Sequence, residues 1–263
     1  MKKRPNPAIA TVVKSETVTP NMQRITLESE RFSSYPEDCE SGYVKLLFSP
    51  SGTTDISALP EGDRPRMRTY TIRRFFPEQC RIEIDMVRHT EHGEKTEGAG
   101  MAANWAVTTK AGDTIGIAGP GTIQNLNPDA DWFFFCADMT ALPALTGKLR
   151  KLPVSAKGYA VIEVQSADDF QDLDAPEGIS LTWVVATENK DVLADAAKAL
   201  PWQEGIVSIW SASEFSTMRT LRDYFHNERN VDRENIYISS YWKRGVTEEG
   251  HKVLKAEDAE ANG

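Results

Sequence analysis

The run "WFFFCAD", Trp132 to Asp138, decides how this chain folds. It stays apolar until its last residue and shows no alternation, as expected of a strand buried on both faces of a parallel sheet. The segments after it alternate in character. "TALPALTGKLRK" (140–151) has helical spacing, and "YAVIEVQ" (159–165) and "SLTWVVAT" (180–187) read as strands. Helix "DVLADAAKAL" (191–200), strand "GIVSIWSA" (205–212), helix "EFSTMRTLRDYFHNE" (214–228) and strand "NIYISSYW" (235–242) complete the series. Such alternation predicts an α/β domain with a parallel sheet over residues 131–245. The polar tail, 246–263, carries a short helical pattern around Glu248 to Glu257.

Upstream of that run the period changes to two. "AIATVVKSETVT" (8–19), "MQRITLES" (22–29), "YVKLLFSP" (43–50), "RTYTIRRF" (68–75), "RIEIDMVRH" (81–89) and "DTIGIAGP" (113–120) are short and β-branched. Turn residues separate them. Six such runs predict a closed antiparallel β-barrel over residues 1–121. One helical interruption falls within "GAGMAANWAVTTKAGD" (98–113), and "PGTIQNLNPDAD" (120–131) reads as the linker between the two domains.

Composition narrows the function. The 263 residues are 40% hydrophobic and 26% charged, with a net charge of −9, which disfavours non-specific nucleic-acid binding. Cys39, Cys80 and Cys136 lie far apart and form no C-x-x-C pair, so neither a disulfide framework nor a zinc site is indicated. The apolar run near the N-terminus is too short and broken for a signal peptide, and no stretch reaches membrane-spanning length. A cytoplasmic protein is expected. "HTEH" (89–92) holds two histidines, too few for a metal site.

Two features point to a bound anion. Arg68 and Tyr70 share a strand face, so a guanidinium suited to phosphate stands beside an aromatic ring. Thr71 adds a hydroxyl or its amide. In "GAGMAANWA" small residues open a helix whose first amides have no intrahelical partner, a natural seat for a pyrophosphate. Alone, the first reads equally well as an ordinary ion pair, and the second reads better as a helix packed with small residues for tight contact.

Taken in order, "RTYT", "DMVRH", "GMAANWA", "GDTIGIAGPG", "ADMTALPAL" and "YWKRG" resemble the siderophore-interacting protein family, flavin ferric-siderophore reductases related to ferredoxin reductases. The resemblance spans residues 10 to 250. It implies FAD in the barrel domain, with Arg68 on the pyrophosphate and Tyr70 and Thr71 on the flavin side. His89, with the neighbouring Asp85 and Val87, would meet the adenosine portion, and Ala102, Ala103 and Asn104 the phosphates. The aromatic pair Tyr241–Trp242 would approach the isoalloxazine. In the α/β domain, Asp138, Thr140 and Glu214 would face a nicotinamide dinucleotide, with Thr140 placed to cap the following helix. No G-x-G-x-x-G motif is present. Acids at Glu163, Asp168 and Asp169 favour NADH over NADPH, and reduced ferredoxin is an alternative donor. Arg73, Arg74, Lys243, Arg244, Lys252 and Lys255 would form a basic rim for an anionic ferric siderophore.

The chain departs from the family pattern at Ala103–Asn104 (usually Ser-Arg), Met139 (usually an acid) and Ser213 (usually Gly), and in the longer insertion Thr90–Glu97. The resemblance implies ferric-siderophore reduction through FAD. The rival readings are a ferredoxin-reductase-like electron-transfer flavoprotein, a general ferric reductase and a non-enzymatic ferric-siderophore binder.

Overall fold

The structure, a computed structural model, describes residues 7–57, 59–60, 63–88, 100–122, 126–188 and 191–262. The chain divides into two units, Met1–Ile123 and Gln124–Gly263.

In the first unit the period-two runs form β1 (Ala8–Thr19), β2 (Met22–Glu28), β3 (Tyr43–Phe48), β4 (Arg66–Thr71), β5 (Arg74–Phe76), β6 (Arg81–Val87) and β7 (Thr114–Gly121), with α1 (Met101–Thr108) before the last strand. They make one antiparallel sheet in the order β4-β3-β7-β1-β2-β6-β5. Its two edges, β4 and β5, are consecutive in the chain and separated only by Ile72 and Arg73. Two residues span about 7 Å, so the edges must lie side by side and the sheet must close on itself. The crossing segment bonds to both flanks: the Ile72 amide donates to the Gly42 carbonyl (2.8 Å) and the Arg73 amide to the Glu83 carbonyl (2.8 Å). Irregularities at Val12/Lys14 and Thr17/Thr19 in β1 supply the bend that closure requires. Inward residues Val12, Ile25, Leu27, Leu46, Ile72, Ile84 and Ile117 fill the interior, joined by Ala102, Trp105 and Ala106 of α1.

The β7 strand runs two residues into the expected linker. Gly121 pairs with Tyr43, and the ladder shifts register between Tyr43 and Lys45, leaving Pro120, which has no N–H, at the irregularity. A Cβ at Gly121 would lie 2.1 Å from the Tyr43 ring, so only glycine fits there.

The outer face of β2 and β6 carries a charged clamp. Arg24 and Asp85 stand directly opposite in the ladder. The Asp85 carboxylate accepts from Arg24 Nε (2.7 Å) and Nη2 (2.9 Å) and pairs with Arg73 Nε (2.9 Å). Glu83 lies 3.5 Å from Arg73 Nη1. All three members of this Arg24–Asp85–Arg73 trio are largely shielded from water, with Asp85 at 3% side-chain exposure.

The second unit contains β8 (Trp132–Asp138), α2 (Leu142–Arg150), β9 (Lys157–Val164), β10 (Gly178–Val185), α3 (Val192–Ala199), β11 (Val207–Glu214), α4 (Phe215–Asp223), β12 (Ile236–Trp242) and α5 (Glu248–Asn262). Every residue of β8 is buried. The strands are parallel, in the order β10-β9-β8-β11-β12. The order reverses between β8 and β11, so the C-terminal ends of those strands flank the topological switch point.

The tail helix α5 is docked on β12. Buried His251 pairs through Nε2 with Ser240 Oγ (2.8 Å), and Lys255 Nζ donates to Ser239 Oγ (2.6 Å) and the Ser240 carbonyl (3.3 Å). Arg222 of α4 grips Asp258 through Nη2 and Oδ1 at 3.0 Å.

Replacing Asp85 by alanine leaves the guanidinium groups of Arg24 and Arg73 shielded without their shared carboxylate. Denaturant unfolding of Asp85→Ala is expected to register a loss of about 3–5 kcal/mol in the first unit.

Candidate functional site

In the barrel unit, β4 and α1 hold the residues that suit a diphosphate and a flat ring. Arg68 and Tyr70 are half-buried, and Thr71 is buried. Arg68 Nη1 donates to the Met67 carbonyl (2.9 Å), which orients the guanidinium along its strand. Tyr70 and Met101, the first residue of α1, both pack on the barrel core. The helix α1 starts at Gly100, in extended conformation with no side-chain cap, and its first turn contains no acid. The Asn104 amide is the first to find an intrahelical partner, the Gly100 carbonyl at 3.1 Å. Among the described residues, a Cβ added at Gly100 would meet nothing within 4 Å. Helix amides that lack intrahelical acceptors, at a positive dipole end whose first turn carries no carboxylate, fit an anionic diphosphate. FAD carries that anion and a planar ring, so the residues present fit it.

Other expected contacts in this unit find different partners. Asp85, read as an adenosine contact, is held by Arg24 and Arg73, and Arg73, read as part of the basic rim, by Asp85 and Glu83. Opposite charges facing across a strand pair satisfy one another before any ligand does. Val87 ends β6 opposite Met22, and Arg74 is half-buried on β5 opposite Glu83. His89 and the insertion Thr90–Glu97 lie outside the described residues.

In the second unit the expected residues gather at the switch point. Asp138 ends β8, Glu163 sits near the end of β9, Glu214 ends β11 and Trp242 ends β12. Asp138 is buried. Its Oδ1 accepts from the Thr140 amide (2.9 Å) and hydroxyl (2.6 Å), and its Oδ2 from the Trp242 indole N–H (2.7 Å). Burial pushes its pKa above the usual carboxylate value, although these donors pull the other way. Thr140 therefore does not cap α2. Ala141 occupies that position without a side-chain bond, and Thr140 turns back to Asp138.

Glu214 is the N-cap of α4, accepting from Ser216 and Thr217, while its other oxygen accepts from the Arg244 amide (3.1 Å). Lys243 places its ammonium 4.4 Å from the centre of the Phe215 ring, a cation–π contact. The carboxyl of Glu163 is pushed up to about 7, first by burial and then by Asp138, with Arg244 opposing the rise.

Three further expected residues have partners within their own unit. Asp169, read as facing a ribose, is fully buried and closes a capping box with Ser166, so it shapes a turn. Lys255, read as part of the basic rim, donates into β12 instead, because docking α5 on that strand brings its ammonium to Ser239 and the Ser240 carbonyl. Lys252, expected beside it on the rim, pairs with Glu248 one turn back (2.9 Å). Sequence reading also missed Arg24, Phe215 and His251. Opposed charges across β2 and β6 were a signal for Arg24, but only a known register exposes it.

Among the described residues no group of three or more His, Cys, Asp or Glu is arranged to hold a metal, and no helix is long and apolar enough to cross a membrane.

Residues 11–124 match the model of the siderophore-interacting FAD-binding domain, and residues 130–245 match that of the siderophore-interacting protein. The ferric vibriobactin reductase ViuB of Vibrio cholerae serotype O1 is 34% identical over 258 residues, covering 93% of this chain and 92% of the relative. The ferric acinetobactin reductase of Acinetobacter baumannii is 31% identical over 207 residues, covering 77% of this chain and 69% of the relative. The crystal structure of the siderophore-interacting protein SipS from Aeromonas hydrophila superposes with a TM-score of 0.84 at 29% identity, covering 97% of this chain and 98% of that one.

The raised Glu163 carboxyl has a consequence for stability. The folded state holds its proton more tightly than the unfolded chain, so the contribution of Glu163 is fully present below its ordinary 4.5 and is lost as pH rises through about 7. Unfolding measured across that window should show stability falling with pH in the wild type and a flatter profile in Glu163→Gln.

Proposed function

Because the chain belongs to the siderophore-interacting protein family, we propose that it is an FAD-dependent ferric-siderophore reductase that frees iron from its carrier in the cytoplasm. One observation carries the reading: a half-buried arginine and an aromatic ring on the barrel strand β4, with an uncapped, acid-free helix start in the same unit. Arg68 holds the diphosphate together with the first-turn amides of Met101, Ala102 and Ala103. Tyr70 lies against the flavin, and Thr71 offers its hydroxyl or amide. With Asn104 in place of the usual arginine, Arg68 and the backbone bear more of the phosphate charge.

Bound FAD supplies the conversion of a donor's electron pair into single electrons for Fe(III). The chain's own work is binding and electrostatics. Lys243, steadied over Phe215, and Arg244 in the second unit, and separately Arg74 in the first, supply positive charge for an anionic ferric complex against the protein's negative net charge. No side chain has to act as an acid or base on the iron. Reduction to Fe(II) weakens chelation by hard oxygen ligands, so the second product leaves by dissociation.

The donor binds the second unit, and a nicotinamide dinucleotide is favoured over reduced ferredoxin. Glu163 at the end of β9 suits a ribose hydroxyl better than a 2′-phosphate, which favours NADH.

Two experiments test this. Arg68→Ala should weaken FAD binding by about 10- to 100-fold, the worth of a charge-assisted phosphate contact, read by flavin fluorescence on titration. Unchanged affinity would remove Arg68 from the site. In the second, anaerobic protein is mixed with NADH, NADPH or reduced ferredoxin and then with ferric siderophore. Flavin bleaching followed by recolouring on siderophore addition is expected; a reduced flavin that ferric siderophore leaves bleached would refute the reductase.

A further inference from the structure

We infer that Asp138 is a positioning residue that holds the Trp242 indole across the C-terminal end of β11 and thereby closes the switch-point crevice. The inference rests on the proposed function for the identity of the ligand excluded, a nicotinamide dinucleotide.

The geometry follows from the strand order. Trp242 ends β12 and Asp138 ends β8, and β11 lies between them. Two strand spacings amount to about 10 Å. The 2.7 Å bond from the Trp242 indole N–H to Asp138 Oδ2 must therefore reach over β11. The registers fix where. Trp242 pairs with Glu214, and Ala137, just before Asp138, is level with Ala212. The ring consequently lies over Ser213 and Glu214, at the mouth where a parallel α/β sheet takes its ligand.

Asp138 is built to keep the ring there. Its other oxygen is occupied by the Thr140 amide and hydroxyl, so the carboxylate cannot turn away without losing both. Glu214, beneath the ring, is fixed as the α4 cap and by the Arg244 amide. The raised pKa of Glu163 is what a covered, poorly hydrated crevice would produce. Dinucleotide entry then requires the indole to leave Asp138, and apparent affinity is reduced by the fraction of molecules in which it has done so.

Trp242→Phe keeps a ring but removes the donor, and Asp138→Ala removes the acceptor. Calorimetric titration of the flavin-loaded proteins with NAD⁺ and NADP⁺, which bind without reducing the flavin, reads the lid directly. Both variants are expected to bind about tenfold tighter than wild type, and Asp138→Asn, whose single carbonyl oxygen cannot serve both the Thr140 amide and the indole N–H, should shift in the same direction. A merely structural role would weaken binding, not strengthen it. Affinities within twofold of wild type in Trp242→Phe, weaker binding in that variant, or no binding by any of the proteins would overturn the lid. Photoreduced wild-type protein challenged with ferric siderophore needs no dinucleotide, so recolouring there keeps the reductase standing even if the lid fails.

Discussion

The barrel unit depends on a single topological constraint: the stretch from Arg66 to Phe76 supplies both edges of one sheet. An edge strand normally presents unpaired backbone groups to solvent. Here the chain steps from one edge to the other in two residues, and each step is bonded to a flank. The same stretch bears Arg68 and Tyr70 before the crossing and Arg73 after it. Closure thus sets the strand proposed to face the cofactor and anchors it, since Arg73 is drawn into the Asp85 clamp. The guanidinium of Arg73, after the crossing, serves the fold, and that of Arg68, before it, is the one proposed for the ligand.

In the second unit the same distinction separates residues that look alike in sequence. The fully buried β8 fixes the sheet centre and brings Asp138 to the switch point. Carboxylates from three strands collect there, which is costly for a site meant to receive an anionic dinucleotide. Each is partly answered: Asp138 by Thr140 and Trp242, Glu214 by the α4 amides and Arg244, and Glu163 by taking its pKa up to about 7.

The architecture was legible because periodicity is a local property. The all-apolar Trp132–Asp138 announced a parallel sheet, and the alternating runs before it announced an antiparallel one. Arg68, Tyr70 and the glycine-led helix start were legible for the same reason, since residues two apart on a strand share a face. What could not be read was anything set by register or by docking. Asp85 and Arg73 looked available because the facing of Arg24 and Asp85 is a pairing fact. Thr140 looked like a cap because its bond to Asp138 depends on a turn. Lys255 looked like a surface charge until the docking of α5 on β12 gave its ammonium two oxygen partners.

The central claim is that the cofactor is held mainly through its diphosphate, by a guanidinium and a helix start. Comparing the dissociation constants of FAD and riboflavin for the flavin-free protein tests it most directly, because riboflavin keeps the ring and lacks the phosphates. Loss of two charge-assisted contacts predicts riboflavin at least about 100-fold weaker. Equal affinity for the two would contradict the claim and return the grip to the ring alone.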